Sequence, residues 1–326
     1  MISINRITLF LKGMAMGAAD VVPGVSGGTI AFISGIYEEL LNSISNINLD
    51  AFKKLFSEGI KAFWKHINGA FLLTLVLGIG TSIALFAKLI KYLLENEAIL
   101  LWSFFFGLIV ASVWLVGKQV KQWNSKNYIG LAFGTAIAYY ITLITPTSGS
   151  ENLLYIFICG IIAITAMILP GISGSFILLL LGAYTTVLGE VSDILSAIKD
   201  ADLTLFLSSA TILFVFALGC ITGLISFSKL LSWLFSKAHD LTVAILTGFL
   251  IGSLNKVWPW KQATEVYVKH QGEVNEVVVP LVEKNLSPFS YTNVLGEPHQ
   301  LTFAIILCVV GMLLILVLDK FSPEKK

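Results

Sequence analysis

The sequence predicts an all-α integral membrane protein made of two inverted-topology repeats, each a broken or re-entrant helix pair followed by three transmembrane helices. Three observations carry this prediction. Of the 326 residues, 56% are hydrophobic and 13% charged, with a mean hydropathy of +0.86, too apolar for a soluble chain of this length. Apolar runs long enough to span a bilayer recur from end to end, at 69–90, 98–117, 128–145, 204–227 and 301–318. Finally, PGVSGG at 23–28 returns as PGISGS at 170–175. Runs such as FFFGLIVASVWLVG do not alternate apolar with polar residues, which favours helices over a transmembrane barrel.

The repeat extends well beyond the glycine motif. PGVSGGTIAFISGIY (23–37) aligns without a gap with PGISGSFILLLLGAY (170–184), matching Pro, Gly, Ser, Gly, a later Gly and the final Tyr. LGIGTSIALFAKLIKYLLE (77–95) aligns with LGCITGLISFSKLLSWLFS (218–236), pairing Lys88 with Lys229, and GLIVAS (107–112) aligns with GFLIGS (248–253). Conserved order and spacing indicate an internal duplication. The chain divides into a first repeat at 1–150 and a second at 151–326, the second with a loop at about 257–300. Apolar segments fall at 7–20, 24–41, 69–90, 98–117 and 128–145, then at 153–169, 171–189, 204–228, 240–256 and 301–318. An odd number per repeat inverts the second repeat relative to the first. Treating the first two segments of each repeat as a re-entrant hairpin leaves the parity unchanged.

Loop charges orient this plan. The N-terminus, 42–68, 118–127, 229–239 and the C-terminus collect Arg6, Lys12, Lys53, Lys54, Lys61, Lys65, Lys118, Lys121, Lys126, Lys229, Lys237, Lys320, Lys325 and Lys326, which is 14 of the 21 basic residues. The opposite side carries Glu190, Asp193, Asp200 and Asp202, and Glu265, Glu273, Glu276, Glu283 and Glu297 in the long loop. By the positive-inside rule both termini are expected in the cytoplasm. No cleavage region follows the first apolar stretch, so that segment is expected to remain. Within the long loop, TEVYVKH and EVNEVVV flank Gln271-Gly272 and predict a small β-hairpin.

The two broken segments need a reason. At 14 to 18 residues, 7–20 and 24–41 are short for a span. Proline removes a donor and glycine admits unusual torsions, so Pro23-Gly24 marks a break between half-helices within the bilayer. Unpaired backbone at that depth is tolerated only when buried in protein or lining a polar cavity. A helix starting after Pro23 would aim the N–H groups of Val25, Ser26, Gly27 and Gly28 at such a cavity, with the hydroxyls of Ser26 and Thr29 beside them. Ile172, Ser173, Gly174 and Ser175 repeat the arrangement. Helix dipoles and open donors of this kind favour an anion such as phosphate or carboxylate. The competing reading is that small residues merely let helices approach closely; duplication at equivalent positions argues for the anion site.

These residues also carry a family resemblance. GAADVVPGVSGGTIAFISGIYEEL (17–40), LPGISGSFILLLLGAY (169–184) and GFLIGSLNKVWPW (248–260) resemble the bacterial polyprenyl-phosphate transporters, and the likeness covers nearly the whole chain. The resemblance implies a multi-pass protein of the bacterial cytoplasmic membrane that returns undecaprenyl phosphate from the outer to the inner leaflet. That movement recycles the lipid carrier for cell-wall and surface-glycan synthesis.

Several charged residues lie near apolar segments. Asp20 precedes VVPG at membrane depth and its counterpart by the repeat offset is Met167; it either accepts a coupling H⁺ or Na⁺ or caps the half-helix. Glu38 is a second coupling candidate, although Glu38 and Glu39 fall where plain solvation at the interface suffices. Lys88 and Lys229 either snorkel to headgroups or guide a phosphate. Trp258 and Trp260 read as interfacial anchors. His66, His239, His270 and His299 fall in expected loops without metal-ligand spacing, and Cys159, Cys220 and Cys308 read as packing residues. No cofactor is expected. The net charge of +1 gives no basis for a nucleic-acid partner, and the oligomeric state, a homo-oligomer included, is left open.

Two other functions compete. Undecaprenyl-pyrophosphate phosphatases also use a Pro-Gly-x-Ser element in broken membrane helices, with an arginine directly after the serine. Here Gly27 and Gly174 hold those positions and Arg6 is the sole arginine, so hydrolysis lacks its electrostatic support. A secondary carrier of small soluble anions would share the same tips.

Overall fold

The computed structural model describes residues 5–20, 26–144, 150, 152–200, 202–269 and 277–320. The protein is an all-α membrane protein with one small hairpin. Its first part contains α1 (Arg6–Asp20), α2 (Gly27–Ile33), α3 (Tyr37–Ser45), α4 (Leu49–Glu58), α5 (Ile60–His66), α6 (Gly69–Asn96), α7 (Ala98–Gly117) and α8 (Ser125–Leu143). There follow α9 (Leu153–Ile168), α10 (Gly174–Leu180), α11 (Tyr184–Asp200) and α12 (Leu203–Ser253), then β1 (Lys261–Lys269), β2 (Val277–Asn285), α13 (Pro288–Leu295) and α14 (Leu301–Lys320). Among the described residues, α7, α12 and the stretch Gly69–Phe86 of α6 are long and apolar enough to cross a membrane, and α9 and α14 supply shorter apolar stretches.

The stretches 24–41 and 171–189, expected as single segments, are each divided. Gly35 and Gly182 adopt positive φ values of 72° and 65°. At the first, the N–H of Gly35 donates to Phe32 O and that of Ile36 to Ala31 O; at the second, Gly182 donates to Leu179 O and Ala183 to Leu178 O. Both are Schellman endings, which close a helix on a left-handed glycine. The residues that follow, Ile36 and Ala183, are almost fully buried, supplying the apolar contact that accompanies this turn.

Two expected loops are also helical. Residues 42–68 contain α4 and α5, joined at Gly59 with φ 83°. Residues 229–237 prolong the helix that starts at Leu203, with no glycine or proline between Gly223 and Gly248 to end it earlier. Lys229 and Lys237 decorate that helix up to its end. At Ala238, with φ −146° and ψ 54°, the chain leaves helical geometry, so α12 is two helices joined at a kink, in keeping with the separate segments expected at 204–228 and 240–256. His66 closes α5, and His239 stands at the kink, directly after Ala238.

Helix pairs are closed by glycines. A Cβ on Gly78 of α6 would collide with the Phe10 carbonyl of α1, and one on Gly219 of α12 with the Phe157 carbonyl of α9. A Cβ on Gly107 of α7 would meet the Cys308 carbonyl of α14, and one on Gly248 of α12 the Leu131 carbonyl of α8. Backbones this close permit extensive van der Waals contact where lipid supplies no hydrophobic drive between helices.

The long loop forms the expected hairpin. β1 and β2 pair antiparallel from Lys261↔Asn285 to Lys269↔Val277, with irregular register around Glu265; the expected Gln271-Gly272 turn lies outside the described residues. Trp258 and Trp260 pin its root. Their indole nitrogens donate to Leu286 O and His299 O, both at 2.8 Å, and their rings meet edge to face at 5.6 Å. They act as internal struts, with Trp260 buried and Trp258 half-buried.

Gly248→Ala should lower the melting temperature of the detergent-purified protein, because overpacking against a backbone carbonyl costs about 1–3 kcal/mol. Gly80→Ala, with nothing within 4 Å of its added Cβ, should be neutral or stabilise by up to ~1 kcal/mol. Equal melting of the two variants would contradict the glycine-closed pairing.

Candidate functional site

The first tip begins at Ser26, whose extended backbone and side chain start α2. Ser26 Oγ accepts from the N–H of Gly28 at 3.1 Å, an ordinary N-cap bond. Residues 21–25, including Pro23, Gly24 and the expected binding residue Val25, lie outside the described residues. Gly27 is held differently. Its N–H donates to Asp20 Oδ1 at 2.6 Å, so the carboxylate at the end of α1 sits where an anion at this helix start would sit. A Cβ at Gly27 would lie 2.5 Å from Asp20 Oδ2, which explains the glycine. The N–H groups of Gly27 and Gly28 are thus engaged within the chain rather than standing free as the sequence suggested. At the other end of α2, Lys12 Nζ donates to Ser34 O at 2.5 Å, placing a cation at the negative end of the helix dipole.

The second tip begins at Ser173, which starts α10 and accepts weakly from the N–H of Phe176 at 3.5 Å. Its hydroxyl also pairs with that of Ser175 at 2.9 Å. Ser175 is exposed, whereas Ile172, Ser173 and Gly174 are buried. A Cβ at Gly174 would fall 2.6 Å from Ala163 O of α9, so this glycine is required for packing. A larger residue there cannot report on ligand access alone.

The two tips meet. Ser26 Oγ donates to Met167 O at 2.8 Å, and the N–H of Gly171 donates to Thr29 Oγ1 at 2.8 Å. Tyr37, at the start of α3, donates its hydroxyl to Ile168 O at 3.0 Å. A Cβ on Gly28 would stand 2.5 Å from Ile168 O. The last turn of α9 leaves carbonyls without helical partners, and donors from the first tip meet them. Ser26, Thr29 and Tyr37 are fully buried.

The remaining expected residues lie elsewhere. Lys229 is exposed on α12, in the last turns before the kink at Ala238. Lys88 is on α6, and its side chain is outside the described set. Glu38 faces His239 Nε2 at 3.3 Å, lining a cavity of about 140 Å³ with Asn42, Ser232 and Phe235. Glu39 accepts from Asn68 Nδ2 at 3.0 Å. Both carboxylates thus bind neighbouring helices instead of being simply solvated, and neither touches the tips. Sequence reasoning missed a second polar centre, where Lys256 Nζ lies 2.7 Å from Glu283 Oε2 and Lys261 Nζ 3.6 Å from the same atom. Its only signal was a pair of lysines flanking VWPW.

Residues 16–275 match a family model described as undecaprenyl phosphate translocase-like. A protein of Vibrio cholerae serotype O1 named polyprenyl-phosphate transporter is 46% identical over 322 residues, covering 99% of each chain. A Staphylococcus aureus protein with the same name is 34% identical over 261 residues, covering 76% of this chain and 85% of the relative. No solved structure matches the chain.

Ser26→Ala removes both a cap and a cross-tip bond, leaving the Met167 carbonyl unsatisfied. It should destabilise by about 1–3 kcal/mol in denaturation of the purified protein. Ser175→Ala, at an exposed hydroxyl, should stay within about 0.5 kcal/mol; a larger loss at Ser175 would reverse the ranking of the tips.

Proposed function

The chain belongs to the undecaprenyl phosphate translocase-like family, and on that premise we propose that it carries undecaprenyl phosphate from the outer to the inner leaflet of the bacterial cytoplasmic membrane. The returned lipid would serve again as carrier for cell-wall and surface-glycan synthesis. No bond is broken in this process. The relatives' names support a polyprenyl-phosphate cargo, and the meeting of the two tips around a carboxylate-occupied helix start is the observation that carries the reading.

In this proposal residues 1–150 and 151–326 are inverted repeats, with both termini cytoplasmic. The pairing of α7 with α14 and of α12 with α8 supports it, because each repeat's fourth span then packs on the other's fifth. The equivalent glycines Gly107 and Gly248 make the equivalent contacts. The tips would alternately face the two leaflets. The phosphate would cross between them while the polyprenyl tail stays in lipid, since an unpaired phosphate in hydrocarbon is prohibitively costly.

The binding set comprises Val25, Ser26, Gly27, Gly28 and Thr29 with Ile172, Ser173, Gly174 and Ser175, and Lys88 and Lys229 guide the headgroup from either side. Asp20 acts as the internal competitor. While ionised it holds the Gly27 donor, and a phosphate arriving there must displace it against like-charge repulsion. Protonation, or a cation at the carboxylate, releases the donor and couples lipid movement to H⁺ or Na⁺.

The test is reconstitution in liposomes with leaflet-resolved measurement of undecaprenyl phosphate and a parallel assay of phosphate release from undecaprenyl pyrophosphate. Movement without hydrolysis is expected; hydrolysis that depends on Ser26 or Ser173 would replace the transporter with an enzyme. Asp20→Asn keeps an acceptor for the Gly27 N–H but loses the charge. Headgroup binding by the parent protein should weaken as rising pH ionises Asp20, and the variant should lack that component. Identical pH and Na⁺ profiles would reduce Asp20 to a cap.

Orientation has its own check. A cysteine placed at the exposed Glu265 of β1 should react with an impermeant thiol reagent added to intact cells. Labelling that requires a breached inner membrane would place the hairpin on the cytoplasmic side.

A further inference from the structure

The hairpin root encloses a cavity of about 290 Å³, lined by Thr142, Phe176, Asn255, Lys256, Lys261 and Glu283 among others. Lys256 Nζ binds Glu283 Oε2 at 2.7 Å and also lies 4.3 Å from the centre of the Phe176 ring. Lys261 Nζ stands 3.7 Å from the centre of the Trp102 ring and 3.6 Å from Glu283 Oε2, beyond hydrogen-bond range. The Lys261 side chain is only 6% exposed, and its ammonium has no hydrogen-bond acceptor among the described residues.

A clip that merely fastened the hairpin would match charge with charge. Here two ammoniums share one carboxylate, leaving a net positive cavity. A buried ammonium with three unused donors is costly. Burial, with the like charge of Lys256 adding to it, pushes Lys261 down to about 8 against the opposing pull of Glu283, so the group is still mostly charged at neutral pH. What the site lacks is an acceptor-rich anion.

We propose that this cavity is a receiving site for a phosphate group, held by Lys256 and Lys261, that feeds the second tip. Phe176 makes the connection: its ring lies under Lys256, and its N–H reaches Oγ of Ser173, the residue that caps α10. A tetrahedral phosphate satisfies several ammonium donors at once, and the amide of Asn255 and the hydroxyl of Thr142 stand at the same cavity, 2.7 Å apart. Glu283 keeps the site from holding its anion too tightly. The inference rests on the transport reading for its direction, with the hairpin on the outer face, but the binding chemistry stands apart from it.

The experiment follows tryptophan fluorescence, with Trp102 directly beneath Lys261, on protein in nanodiscs. The probes are inorganic phosphate and, separately, undecaprenyl phosphate doped into the disc. Lys261→Met should weaken binding at least tenfold, and Glu283→Gln, which removes the competing negative charge, should tighten it several-fold. Tightening cannot arise from misfolding, and melting curves verify both variants. A lipid response that follows this pattern assigns the site to the headgroup, and the same pattern with inorganic phosphate alone assigns it to free phosphate. Binding of both probes unchanged in both variants overturns the proposal. Leaflet-resolved transport separates the two readings: active parent protein with undiminished Lys261→Met transport sinks the receiving site alone, whereas an inactive parent protein whose phosphate binding still depends on Lys261 sinks only the transport reading.

Discussion

A helix broken inside a membrane leaves backbone groups that water cannot reach, and the architecture follows from satisfying them. At the end of α9, Met167 and Ile168 would present bare carbonyls to an apolar interior. Ser26 and Tyr37 answer them from the other half of the chain. Thr29 in turn accepts from Gly171, whose φ of 85° turns the backbone toward it. The same glycine-rich sequence that weakens the helix allows the approach that repairs it. Gly28 is small enough to let the Ile168 carbonyl lie against it, so the break and its remedy are encoded together.

These cross-links also set an energy scale for motion. Each neutral hydrogen bond is worth ~0.5–1.5 kcal/mol net, so parting the tips at Ser26, Thr29 and Tyr37 costs about 1.5–4.5 kcal/mol by the same measure. That is the range in which a minor conformation stays populated and a ligand can select it. The glycine-closed helix pairs belong to a different class: their separation would forfeit long stretches of close contact. In the proposed transport cycle the tips are therefore the part that separates at least cost, while the glycine-closed pairs stay together.

Much of this was legible in the sequence. The duplicated Pro-Gly-x-Ser-Gly located both tips, and the later glycine in each copy marked a position that proves to end a helix. The β-branched runs announced the hairpin. The rest was hidden for physical reasons. The connection expected at 229–239 is narrower than charge suggested, because the helix runs on through Lys229 and Lys237 and the chain turns only at Ala238. Asp20 could be read as cap or coupler because its partner, Gly27, becomes apparent only when the chain folds back. The centre formed by Lys256, Lys261 and Glu283 joins residues up to 27 positions apart, and no local pattern foretells that a strand will bring a carboxylate between two lysines.

The bend in α12 has a mechanical meaning. Its N-terminal arm is packed on α9 and its C-terminal arm on α8, so two helices joined at a kink are each fastened to a different partner. Flanking the joint at Ala238, His239 reaches Glu38 of α3 and Asp240 accepts from the N–H of Gln122 at 3.0 Å. A single non-helical residue, flanked by contacts to α3 and to the segment joining α7 and α8, is therefore the joint between the arm packed on α9 and the arm packed on α8.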